Sequence, residues 1–325
     1  MSKAIRLTQI DGKLPNLALM RLSAHYKSRG YDVHFTRKVK KDLFEPEYEK
    51  VFASTIFSFS ASRIERFRQE FPTAIIGGTG SGNTQTLEEM VPGIGLDFDY
   101  SLYPDYDYSI GFLQRGCRLK CKFCVVPTKE GKPRQEMAVA ELWRGEGHPK
   151  KLHILDNDFF GVPGWHQHVE DIRAGGFKVC LNQGINVRLI TEEGAEALAS
   201  IEYRDDGFKR RRIYTAWDNY GDEGIFFRGI DKLERAGIPG DHVMAYMLVG
   251  YDQKETWERI FDRFNKMTTR GILPYPMVYD QNRKDLKAFQ RWVVMGLYRT
   301  VPFSEYNSSI RRHKYPSVDQ LPLAI

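Results

Sequence analysis

In the amino-terminal third of the chain, short stretches of alternating or continuous apolar residues trade places with segments of helical period. Residues 3–9 alternate as a strand does, and residues 14–29, rich in Leu, Ala and Met, read as a helix that stops at Gly30. Residues 31–36, 50–57 and 73–76 are further short strands, with a helix over 61–71 between the last two. Strands separated by helices argue for a parallel sheet covered on both faces. The pattern therefore predicts a small doubly wound parallel-sheet domain over residues 1–98, with its strand order left open.

The stretch 92–108 mixes Gly93 and Gly95 with acidic and aromatic residues, and residues 99–108 read as a linker between domains. Beyond it a strand–helix unit repeats about six times over residues 109–285, and residues 286–325 are left as a carboxyl-terminal helix and tail. Strands are expected at 109–115, 151–155, 177–181, 212–216, 242–249 and 272–278. Helices are expected at 136–143, at 165–174 before Gly175-Gly176, from the N-cap Thr191, at 224–236, and around Trp257, Ile260, Phe261, Phe264 and Met267. Most of the strands change at their carboxyl ends to polar residues: Asp156-Asn157-Asp158, Asn182-Gln183, Asp218-Asn219, Asp252 and Tyr279-Asp280. That is where β/α folds build sites from the loops after their strands.

A hydrophobic content of 42% with 28% charged residues fits a globular protein, and no apolar run approaches the roughly 20 residues that span a bilayer. The start runs directly into a strand pattern without the apolar core of a signal peptide, so a cytoplasmic protein with no membrane partner is expected. The formal charge of +6 is partly clustered in Arg37-Lys38-Val39-Lys40-Lys41, Lys209-Arg210-Arg211-Arg212 and Arg311-Arg312-His313-Lys314. Such clusters make a nucleotide or nucleic acid a candidate partner, and are otherwise solvated faces.

Three of the four cysteines stand together as Cys117, Cys121 and Cys124, with Phe123 before the last. Three thiolates hold three irons of a cubane and leave the fourth with open positions. A structural zinc site wants four closed ligands, and Cys180 lies far along the chain with no paired histidines. A redox pair of Cys121 and Cys124 would leave Cys117 unexplained. Cys180, early in its strand, reads as a small core residue.

The Cys-x-x-x-Cys-x-x-Cys spacing with Phe123 resembles the signature of the radical S-adenosylmethionine (radical SAM) superfamily, and its place after the first of about six strand–helix units matches that family's partial (β/α)6 TIM-type barrel. The resemblance covers about residues 105–285. It implies a 4Fe-4S cluster on Cys117, Cys121 and Cys124 that reductively cleaves SAM to a 5′-deoxyadenosyl radical, which abstracts hydrogen from a substrate carbon. A reductant protein of flavodoxin or ferredoxin type is implied with it. By position, Phe123 would pack near adenine or cluster, and Asp156, Asn157 and Asp158 occupy the place of the motif that holds the SAM ammonium. That motif is usually glycine-rich, and this sequence departs from it. Asn182, Gln183, Asn186 and Arg188 are expected near the SAM ribose and carboxylate, Asp218 near ribose or substrate, and Val249 in the segment that supports adenine. No catalytic acid or base is assigned.

The amino-terminal unit, through Phe71-Pro72-Thr73-Ala74-Ile75-Ile76-Gly77-Gly78 and its position, resembles the Rossmann-like cobalamin-binding domain of cobalamin-dependent radical SAM proteins. Cobalamin is thus a further candidate cofactor, and a cobalamin-dependent radical SAM methyltransferase an alternative function. The glycines of residues 77–82 suit either a bound ligand or a tight turn. The non-enzyme alternative is a zinc- or cluster-containing nucleic-acid-binding protein.

Overall fold

The computed structural model describes residues 3–307. The chain forms two compact units that divide between Asp107 and Tyr108. Both are α/β in class with parallel sheets.

The first unit runs β1 (Ala4–Gln9), α1 (Leu17–Lys27), β2 (Asp32–Thr36), β3 (Lys50–Ser54), α2 (Ala61–Glu70), β4 (Ile75–Gly77) and α3 (Leu87–Met90). Its sheet is parallel throughout, in the order β2-β1-β3-β4. Alternation along β1 sends Ile5 and Leu7 to one face, where they pack against Leu19, Met20, Leu22 and Tyr26 of α1. On the other face Ala53 and Ile76 pack against Ile64 and Phe67 of α2, together with Ile10 and Phe71. Each such fully buried side chain contributes about 1.5–3 kcal/mol, which is what holds helices to both faces.

The segment expected as a linker belongs to this core. Leu102 and Tyr103 are buried in the α1-side cluster, and the Tyr103 hydroxyl donates to Gln9 Oε1 at 2.9 Å while accepting from the Asn16 amide at 3.1 Å. Its aromatic residues supply apolar surface that a linker would leave in water. A fully buried Arg6 lies beneath α2: its guanidinium pairs with Glu45, donates to the Lys38 and Lys40 carbonyls, and stacks 4.5 Å from the Phe71 ring centroid.

The second unit opens with β5 (Ser109–Gly111) and β6 (Gln114–Arg115), the latter paired antiparallel with β7 (Arg134–Gln135) after the short α4 (Val126–Lys129). The single strand expected over 109–115 is broken because Leu113 leaves the sheet: its amide donates to Asp156 Oδ1 at 2.8 Å and its carbonyl accepts from Glu136 at 2.9 Å. That last bond also delays the next helix, so α5 covers only Val139–Leu142. There follow β8 (Lys151–Ile154), α6 (Trp165–Gly175), β9 (Lys178–Cys180), α7 (Glu192–Ala199), β10 (Glu202–Tyr203), β11 (Ile213–Ala216), α8 (Glu223–Arg235), β12 (Val243–Val249), α9 (Trp257–Thr269), β13 (Leu273–Val278) and α10 (Lys284–Val294). Gly176, at φ 66°, ends α6 in the left-handed conformation, and the Thr191 hydroxyl caps α7, both as the sequence predicts.

Hydrogen bonding divides the expected run of six parallel strands into a sheet β10-β9-β8-β5 and a sheet β11-β12-β13. The unpredicted β10 adds to β9, and β9 and β11 are linked through the Ile185 amide, which donates to the Tyr214 carbonyl at 2.8 Å. No helix among the described residues is long and apolar enough to cross a membrane.

Candidate functional site

The cysteine loop leaves the end of β6 through Gly116, at φ 89°, where a side chain would collide with the Lys132 carbonyl. The Cys117 amide donates to the Gly131 carbonyl at 3.2 Å, and the Cys124 amide closes a turn on Cys121 at 3.0 Å. All three thiols are free and partly exposed. Burial raises the Cys117 and Cys124 thiols above the ordinary cysteine range, so that a bound metal would have to draw off their protons. The Leu119 amide points at Cys117 Sγ from 3.4 Å, the type of contact that tunes cluster sulfurs.

Loops from the carboxyl ends of other strands meet this one. After β8, Asp158 receives Arg118 through Nε at 2.7 Å, Nη2 at 2.9 Å and the Arg118 amide at 3.1 Å. Asn157 donates to Glu130, which also accepts the Gly116 amide at 3.1 Å. Asp156, 2% exposed, accepts the Leu113 amide with one oxygen, while its other oxygen has no protein donor among the described residues. Burial pushes its carboxyl up to about 8. Asp158 thus anchors the cysteine loop through Arg118, while Asp156 anchors the end of β5–β6 with one oxygen and keeps the other without a protein donor among the described residues.

After β9, Arg188 places Nη2 at 3.5 Å from Cys121 Sγ and Nη1 at 2.7 Å from Asp222 Oδ2. On the same loop the Asn186 amide nitrogen is buried without an acceptor among the described residues, a donor of the kind a ribose or carboxylate satisfies. Asn182 and Gln183 turn differently, with the Asn182 carbonyl taken by the Tyr246 hydroxyl at 2.9 Å and the Gln183 side chain exposed. After β11, Asp218 accepts the Leu248 amide at 3.2 Å, and burial raises its carboxyl. Its charge acts on Cys124 and is itself acted on by Arg188. After β12, Tyr251 meets Phe123 edge to face at 5.4 Å and Tyr279 at 4.9 Å. Val249 is fully buried and contributes through its carbonyl, which accepts the Tyr279 amide.

Sequence reasoning missed Arg263. This fully buried residue of α9 donates to the Trp217, Asp218 and Leu248 carbonyls and pairs with Glu255, whose other oxygen accepts the Gly250 amide at 2.8 Å. It thus ties the ends of β11 and β12. The signal was present, because an arginine interrupts the apolar stripe Ile260, Phe264, Met267. Glu130, Asp222 and Tyr251 were missed for lack of any local pattern.

Three free, partly exposed thiols on one loop are the donor set that three irons of a cubane would take, and are one protein ligand short of a closed structural zinc site.

Comparison of the chain with models of known protein families, with curated proteins and with solved structures found no match in any of the three.

At the carboxyl edge of the first unit the glycines serve the chain's own packing. Side chains at Gly78 and Gly80 would collide with the Thr55 and Phe57 carbonyls, and the Gly80 amide donates to the Thr55 carbonyl. The Ile56 and Phe57 amides are taken by the Asp11 carboxylate at 2.7 and 3.2 Å. Of the basic clusters, Lys38 and Lys41 pair with Asp42 and Glu47, and Arg211 with Glu202. Residues 311–314 lie outside the described residues.

Proposed function

We propose that this chain is a radical SAM enzyme whose second unit is a partial (β/α)6 barrel, with Cys117, Cys121 and Cys124 holding a 4Fe-4S cluster. One observation carries the reading: loops after β8, β9 and β12 meet a single three-cysteine loop, through Asp158–Arg118, Arg188–Cys121 and Tyr251–Phe123. When bound, the cluster and SAM supply one-electron cleavage of a carbon–sulfur bond and, through it, hydrogen abstraction at a substrate carbon.

The chain's own residues prepare the site. Asp158 and Glu130 fix the cysteine loop through Arg118 and the Gly116 amide. Arg188, held by Asp222, sets a cation against the Cys121 sulfur and offsets the negative charge that three thiolates bring. Asn186 offers its unused amide to the SAM ribose or carboxylate. Phe123, Tyr251 and Tyr279 form an aromatic wall that limits water. Arg263 holds Asp218 and Leu248 in register beneath it. A one-electron reductant of flavodoxin or ferredoxin type completes the reading.

The test is anaerobic reconstitution with iron and sulfide. Wild-type protein should retain about four irons with matching acid-labile sulfide, and Cys117→Ala should lose most of both. A wild-type protein that retains neither iron nor acid-labile sulfide would sink the reading.

A further inference from the structure

Away from the cysteine loop, His153 of β8 and Cys180 of β9 stand opposite each other in the parallel register, both buried. Asp206, from the connection that enters β11, reaches in between them. Its Oδ1 lies 3.3 Å from His153 Nε2 and 3.6 Å from Cys180 Sγ, and all three ligand atoms fall within 4.8 Å of one another. Two nitrogen or oxygen ligands of a tetrahedral zinc ion are separated by about 3.3 Å, and a sulfur and an oxygen ligand by about 3.5 Å. The two separations at Asp206 match those edges.

The surroundings supply what a metal site needs. The Tyr214 hydroxyl donates to Asp206 Oδ2 at 3.1 Å and so orients the carboxylate. The Asp206 side chain is 59% exposed, which leaves an ion a way in from solvent. The same connection holds Phe208 at φ 55°, a backbone that a bulky residue rarely adopts, with its ring against His153 at 5.3 Å and Tyr108 at 4.5 Å. Asp206 lies in the connection between β10 and β11, away from the cysteine loop that follows β6.

The geometry points to a second metal site, in which His153 Nε2, Cys180 Sγ and Asp206 Oδ1 bind one zinc-class divalent ion that pins the 204–212 connection to β8 and β9. The mixed nitrogen, sulfur and oxygen set suits zinc among the common divalent ions. Binding forms three ligand–metal bonds and releases the thiol proton to solvent. Nothing in this assignment depends on what the cysteine loop holds.

The experiment uses the full chain with Cys117, Cys121 and Cys124 changed to serine, so that motif thiols contribute nothing. Zinc titration should reach about one ion per chain, and cobalt in its place should show thiolate-to-metal charge-transfer absorption. Asp206→Ala, at a side chain 59% exposed, should weaken zinc binding by roughly 100-fold, and Tyr214→Phe by on the order of 10-fold. Cys180→Ser should remove the charge-transfer band. The wild-type chain reconstituted with its iron should carry the same extra zinc. Failure of the triple variant to bind zinc, or Asp206→Ala binding it as tightly as its parent, would mean that the three groups form a hydrogen-bonded polar core only, and would overturn the assignment.

Discussion

The Arg188 guanidinium bridges Cys121 Sγ, at 3.5 Å, and Asp222 Oδ2, at 2.7 Å. If Cys121 ligates the proposed cluster, a cation held in place against its sulfur would stabilise the more negative, reduced state. Arg188→Ala should therefore lower the cluster midpoint potential by roughly tens of millivolts, with Arg188→Lys falling between. Redox titration followed by electron paramagnetic resonance measures this, and an unchanged potential in the alanine variant would separate Arg188 from the cluster.

Asp158 is buried against Arg118, which crosses back from the cysteine loop. Removing the arginine strands a carboxylate in low dielectric. Arg118→Ala should cost about 1.5–3 kcal/mol of stability and reduce iron retention, with Asp158→Asn less severe. Urea unfolding alongside iron analysis checks both.

The Asp156 carboxyl, raised to about 8 by burial, gives a pH signature. The folded state binds a proton there that the unfolded chain, with an ordinary carboxyl near 3.9, has already released at neutral pH. This contribution to stability is thus fully present below pH about 4 and is lost as pH rises toward 8. Asp156→Asn removes the titration while keeping an oxygen for the Leu113 amide. Measured by chemical denaturation, the variant's stability relative to wild type should climb steadily from pH 4 to 8 and level off above. A pH-independent difference would contradict the assignment.

Arg263 and Glu255 are a buried pair that ties two strand ends. Arg263→Met should destabilise by about 3–5 kcal/mol, because it leaves a buried carboxylate unpaired. The double variant Arg263→Met/Glu255→Leu should recover part of that loss, though the Asp218 and Leu248 carbonyls stay orphaned. Thermal or urea unfolding of the three proteins reads the difference.

What could be read from the sequence divides along physical lines. Helices and strands with strong period were legible, down to the Thr191 cap and the Gly176 stop, because local pattern decides them. The break between β5 and β6 was not, since Asp156, far along the chain, takes the Leu113 amide. The stretch 92–108 read as a linker from Gly93, Gly95 and its acidic and aromatic run, yet Tyr103 buries its ring and uses its hydroxyl twice in the first unit. At the candidate site the cysteines announced themselves. The pairing of Asp158 with Arg118 did not, because which of three adjacent polar side chains turns inward is settled by packing. Cys180 read as core and is fully buried, but its neighbours His153 and Asp206 come together only in the fold.

The central claim is tested most directly by SAM turnover. Anaerobically reconstituted wild-type protein, reduced with dithionite and given SAM, should produce 5′-deoxyadenosine, and Cys121→Ala treated identically should produce none above background. Equal formation by the alanine variant, or none by a wild-type protein loaded with about four irons, would contradict it.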